Sequence, residues 1–169
     1  WQAYAGETAL TQFSAAFGLG TQFFLASSTS LATAFAFCRG FTRKNSKTIG
    51  CFYYDLIKLS LHIFLPICIL AAIVLTYFET PMNFNAPSTI KTISNELHIV
   101  PNGPIASHVA IKQFGTNGGG YYNANSSHPY ENPNPISNFI QLILMALLPF
   151  ALIDFFGRVT SHRKHSTIL

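Results

Sequence analysis

Charge is what this sequence has least of. Of its 169 residues only 9% are Asp, Glu, Lys or Arg, where an average soluble domain carries roughly 25%. A soluble chain this short and 49% hydrophobic could not cover its surface with so few charges. The balance reads as integral membrane. Cysteine is scarce too, and Cys38, Cys51 and Cys68 make an odd number with two of them within or beside apolar runs. That argues for packed or cytoplasm-facing thiols over a disulfide framework. The six histidines are scattered and fall into no metal-ligand spacing. A net charge of +4 is no argument for a nucleic-acid partner, because the basic residues sit in two short clusters beside apolar spans. No initiator Met and no signal peptide are visible, and Trp1 opens within a motif, so the chain is expected to be a piece of a longer protein.

What the sequence has instead is long uncharged runs. Residues 18–38 are the first, and twenty-one residues suffice to cross a hydrocarbon core of about 30 Å at about 1.5 Å per residue. This run is rich in Ser, Thr and Ala, which favours close packing inside a bundle over contact with lipid all round. Residues 59–78 form the second run, with Pro66 expected to kink it, and residues 136–153 the third, with Pro149 as a late kink. Trp1 and Tyr4 suit a membrane interface. His62, one turn into the second run, is expected to be a satisfied interior histidine, with a proton relay as the competing reading.

Basic residues orient these spans. Arg39, Arg43, Lys44, Lys47 and Lys58 lie between the first two, and Arg158, Arg163 and Lys164 follow the third. The connection 79–135 carries only Lys91 and Lys112. The positive-inside rule therefore places residues 79–135 outside the cytoplasm. Four prolines break the first half of that connection into turns and extended pieces. Residues 105–114 are its one helix-compatible stretch, too short to span, and their length suits a re-entrant pore helix.

That short helix leads into Gly115-Thr116-Asn117-Gly118-Gly119-Gly120-Tyr121-Tyr122-Asn123-Ala124-Asn125. A backbone so rich in glycine reaches conformations closed to other residues, and with few side chains its own N–H and C=O groups are its functional surface. Irregular backbone at membrane depth is tolerated where it is buried in protein or lines a wet cavity. Carbonyls directed into such a cavity can replace an ion's water shell. Phosphate-binding readings fail on detail, since a Walker A loop needs Lys-Ser/Thr where Tyr121-Tyr122 stands, and a dinucleotide fingerprint needs glycine at Asn123. A plain flexible turn is the competing reading. It explains poorly why the loop sits between a short helix and a span.

The stretch 115–133, through Asn125-Ser126-Ser127-His128-Pro129-Tyr130-Glu131-Asn132-Pro133, closely resembles the second filter loop of the KdpA family, the potassium-binding subunits of bacterial Kdp potassium-transporting ATPases. The resemblance extends to Trp1-Gln2-Ala3-Tyr4-Ala5-Gly6-Glu7-Thr8, which is similar to the exit of the first filter loop, and to Arg39-Gly40-Phe41, Lys47-Thr48-Ile49-Gly50 and Gly103-Pro104-Ile105-Ala106-Ser107. Tyr121, Tyr122 and Tyr130 depart from the usual Phe, and Phe23 stands where an Asn is expected. The resemblance implies an all-α membrane protein of potassium-channel-like helix–re-entrant loop–helix repeats. This chain would hold three transmembrane helices, one pore helix and one filter loop. Residues 1–38 would close repeat one, 39–55 form a cytoplasmic loop, 56–158 make repeat two, and 159–169 a cytoplasmic tail.

On that resemblance, potassium is bound by the backbone carbonyls of Thr116, Asn117, Gly118 and Gly119, with Gly120 turning the chain away. Gly115, Tyr121, Tyr122, Asn123, Asn125 and Gln2 support them. The implied partners are a P-type ATPase catalytic subunit, small accessory subunits and the lipid bilayer, in the inner membrane. No organic cofactor and no nucleotide chemistry are expected of this chain. A passive channel or symporter subunit of the same superfamily, and a structural subunit whose loop merely packs, are the competing functions. A serine at Gly118 is expected to disturb ion binding, and one at Gly103 to do far less.

Overall fold

The structure, a computed structural model, describes residues 9–43, 45–100, 102–161, 164 and 168. Three long helices frame it. Helix α1, Gly20–Thr42, is entered through a π-helical turn, Ser14–Leu19. Four of its hydroxyls lie against carbonyls of the preceding turn: Ser27 Oγ is 2.9 Å from Phe23 O, and Ser28, Ser30 and Thr33 donate to the carbonyls four residues back at 2.9–3.0 Å. Back-bonding of this kind lets a Ser- and Thr-rich helix sit among apolar neighbours. Helix α2 runs Phe52–Tyr77 and helix α4 Pro135–Val159, and these two are long and apolar enough to cross a membrane. Helix α1, at 23 residues, is long enough but less apolar.

The disturbance expected at Pro66 takes the form of a π-helical stretch, Ser60–Phe64, ending two residues before it. Proline removes one donor from the helical ladder, and a π-turn is a usual site of such irregularity. Helix α4 begins in a full capping box: Asn134 Oδ1 accepts from Ser137 N at 2.9 Å, and Ser137 Oγ accepts from Asn134 N at 3.2 Å. Asn134 Nδ2 also donates to Phe78 O at 2.9 Å, joining the start of α4 to the end of α2. At the opposite end Arg39 pairs with Asp55, and Phe35 stacks on Phe155 with centroids 4.0 Å apart. The basic ends of all three helices thus lie together, around a cavity of about 330 Å³ lined by Arg39, Asp55, Lys58 and His62. His62 is exposed there, not interior as its position in the span suggests.

Between α2 and α4 the chain makes its long excursion. The expectation of a purely helical chain needs one correction. Strands β1, Ser88–Lys91, and β2, Leu97–Val100, pair antiparallel, with Ser88 opposite Val100 and Lys91 opposite Leu97. Thr-Ile-Lys and Leu-His-Ile-Val have the alternation and β-branching that suit strands. Thr92 N–H and Asn95 N–H close the turn on Glu96 O and Thr92 O, both at 2.9 Å, with Asn95 left-handed at φ 66°. The strands are exposed apart from a half-buried Val100.

Helix α3, Ile105–Phe114, has the bounds expected of the short helix. Only Ser107 and Ile111 in it are even half-exposed. It packs into a cradle of α1, α2 and α4. Phe64, fully buried, sits at the junction with its ring 5.9 Å from that of Phe24 on α1 and 4.9 Å from that of Phe114 on α3.

Candidate ion-binding loop

Helix α3 ends at Gly115, and its last turn is closed by the loop itself. Gly115 N–H donates to Ile111 O at 2.9 Å, Thr116 N–H to Gln113 O at 3.3 Å, and Asn117 N–H to Lys112 O at 3.0 Å. The backbone then runs left-handed at Thr116 (φ 51°), Gly118 (67°), Gly119 (77°) and Gly120 (125°). At Gly120 the conformation is closed to other residues on two counts. Its φ is one that side chains rarely adopt, and an added Cβ would collide with Lys112 Nζ and lie 2.7 Å from Glu131 Oε1.

Side chains grip this segment from behind. Asn117 turns onto α1, donating from Nδ2 to Phe23 O at 3.1 Å, with Oδ1 2.8 Å from Ser27 Oγ. Tyr121, 2% exposed, donates its hydroxyl to Asn102 O at 2.9 Å. The ring of Tyr122 stacks on His128, interplanar angle 6° and centroids 3.7 Å apart. Asn123 and Asn125 are exposed left-handed residues, φ 53° and 46°, that turn the chain. Gln2 lies outside the described residues.

Sequence reasoning missed the group that ties the loop together. Lys112 counts in the sequence as a basic residue of the outer connection. In the structure its side chain is fully buried and paired with an equally buried Glu131 at 2.6 Å. The ammonium also donates to Gly119 O at 3.1 Å, and the carboxylate accepts from Ser126 N at 2.8 Å and Tyr122 N at 3.4 Å. Beside this pair Gln113 donates to Ser126 Oγ at 2.8 Å and to Gln141 Oε1 at 2.9 Å, while Gln141 donates to Glu131 O at 2.8 Å. One buried polar network thus joins α3, the loop and α4. A lone lysine as the one Lys, Arg, Asp or Glu of a ten-residue helix, followed by a lone glutamate among prolines and asparagines, was the signal available.

On the other side of α3, His108 Nε2 donates to Ala15 O at 2.8 Å, and its buried Nδ1 has no partner among the described residues. With the Ala15 carbonyl as acceptor, Nε2 carries a ring proton. The carbonyls of Thr116, Asn117 and Gly118 make no hydrogen bond among the described residues, whereas Gly119 O is held by Lys112. Beside Thr116, between α1 and α4, lies a cavity of about 250 Å³ bordered by Ser27, Ser30, Leu31, Leu148 and Leu152.

Two apolar helices of spanning length flank a polar, glycine-built loop, an arrangement consistent with a membrane protein. Comparison with known proteins then makes the assignment specific. The profile of the family described as KdpA, potassium-transporting ATPase A subunit, matches residues 1–169, and the chain belongs to that family. Among curated relatives, the potassium-transporting ATPase potassium-binding subunit of Shigella boydii serotype 18 is 42% identical over 169 residues. Those of Shigella flexneri and Escherichia coli O139:H28 are each 41% identical over the same length. In each case the alignment covers 100% of this chain and 30% of the relative, so the chain spans about 30% of their length.

Proposed function

We propose that this chain supplies one potassium-binding filter loop of the potassium-selective subunit in an ATP-driven uptake complex of the bacterial inner membrane. The ion meets the carbonyls of Thr116, Asn117 and Gly118, which take the place of its hydration water. Gly115, Tyr121, Tyr122, Asn123 and Asn125 hold the loop. Gly119, expected among the ligands, has its carbonyl on the Lys112 ammonium. The observation that carries this reading is the contrast between a loop gripped on its side chains and outer turns and three successive carbonyls bonded to nothing among the described residues.

The fold fits this role. Helix α3 has ten residues, about 15 Å at 1.5 Å per residue, half of a hydrocarbon core of about 30 Å. It enters from the outer side and the loop returns, so α2, α3 with its loop, and α4 form one helix–re-entrant loop–helix repeat within residues 56–158. Residues 1–38 close the preceding repeat, and 39–55 and 159–169 lie in the cytoplasm. The C-terminal end of α3 directs its partial negative charge at the loop, which favours a cation there. The cavity beside Thr116 gives the ion a first step inward, toward an ATPase subunit that performs the hydrolysis with small accessory subunits alongside. The names of the relatives, potassium-binding subunits of potassium-transporting ATPases, support the choice of ion.

Gly118→Ser tests the assignment. Gly118 sits at φ 67° with no described residue within 4 Å of an added Cβ, so the substitution strains the backbone without a clash among the described residues. Strain of this kind costs on the order of 1–3 kcal/mol, and about 1.4 kcal/mol is tenfold in binding. In the assembled complex, the potassium concentration that half-stimulates ATP hydrolysis should rise about tenfold and the preference over rubidium and ammonium should narrow. Unchanged affinity and ion ranking would overturn the filter reading.

A further inference from the structure

The Lys112–Glu131 pair holds more than itself. Its two side chains touch the loop backbone at Gly119 O, Tyr122 N and Ser126 N, on both sides of the Gly120 turn. A buried ion pair is weak evidence for stability, because well-packed apolar residues in its place often do as well. Here the geometry gives it a different use. A carbonyl bonded to an ammonium has part of its negative potential already taken, and the fixed positive charge beside it repels a second cation. The carbonyl just before it, at Gly118, carries no such bond among the described residues. With Glu131 neutralising Lys112 at 2.6 Å, the pair as a whole imposes little net charge on the rest of the row.

We propose that Lys112, clamped by Glu131, is a positioning residue for ion selection: it withdraws the Gly119 carbonyl from the ion path, ends the ligating row at Gly118 and fixes that row's spacing. This rests on the filter reading above and goes one step further, assigning selectivity to a residue that never touches the ion. The fully buried side chains of Lys112 and Glu131 set how far the carbonyls can rearrange, and so how strongly a cation of the wrong size is refused.

The test uses the full-length subunit in its assembled complex, with Lys112→Met, Glu131→Gln and the double variant, measured beside Gly118→Ser. Each complex is assayed for ATP hydrolysis against potassium, rubidium and ammonium. Lys112→Met should raise the half-stimulating potassium concentration about tenfold and narrow its margin over rubidium and ammonium, with the maximal rate per assembled complex little changed. Glu131→Gln should act in the same direction. The double variant removes the unpaired buried charge and should recover assembly, yet keep the altered ion ranking, because nothing then holds Gly119 O. If the double variant regains native affinity and ranking, or if the single variants lose only assembly or maximal rate, the pair is purely structural and the proposal falls. Failure of all three variants to assemble has the same meaning. A shift in Gly118→Ser alongside native ranking in the others defeats this inference alone, while no shift at Gly118 defeats the filter reading beneath it.

Discussion

At Gly103 an added Cβ would lie 2.6 Å from the ring and hydroxyl of Tyr121, the side chain that ties the loop to Asn102. Crowding a packed site costs about 1–3 kcal/mol, and the ring has nowhere to retreat at 2% exposure. Gly103→Ser should therefore lower the thermal stability or yield of the complex more than Gly118→Ser does, while leaving ion ranking in the surviving complexes alone. In the sequence Gly103 is one of several turn residues. Nothing local to it announces that Tyr121, eighteen positions on, will fold across it.

Among the elements, α4 depends most visibly on one residue. Asn134 caps its first turn and bonds Phe78 O on α2. Asn134→Ala should cost about 1 kcal/mol for the cap alone, and somewhat more with the inter-helix bond, read as a lower melting temperature in detergent. The helices themselves were legible in the sequence. Residues 105–114 are bounded by Gly103-Pro104 and Gly115, so the limits of α3 were set by local chemistry. The runs 18–38, 59–78 and 136–153 each overlap a helix that extends beyond the run at one end or both, because apolarity stops where the bilayer stops and hydrogen bonding does not. The hairpin was harder to see, since its strands are four residues long, exposed, and embedded in a proline-rich stretch. The pairing of Lys112 with Glu131 was hidden for a different reason. A charge count treats every lysine as solvated, and only the packing of α3 against the returning loop reveals which one is not.

For the molecule as a whole, orientation is the testable property. With native cysteines replaced, new ones at Ser46 and Asn85 occupy exposed positions at opposite ends of the helical frame. Labelling of intact cells with an impermeant thiol reagent should modify Asn85→Cys and spare Ser46→Cys, and the reverse pattern would invert the topology. Burial of Lys112 strengthens the charge argument, since it leaves Lys91 as the one exposed Lys or Arg in the described part of the outer stretch.

The single bond from Asn134 to Phe78 has a consequence for how this fold could be exchanged between proteins. It brings together the two ends of a 55-residue excursion, residues 79–133. That insert carries its charged clamp wholly within itself, and among the described residues its other side-chain hydrogen bonds reach the scaffold only at Gln12, Ala15, Phe23, Ser27, Ser137, Asn138 and Gln141. Such a segment is a cassette. A chimera could swap it for the matching stretch of a relative by cutting at Phe78 and Asn134, provided those seven sockets are kept, and ion preference should travel with the insert.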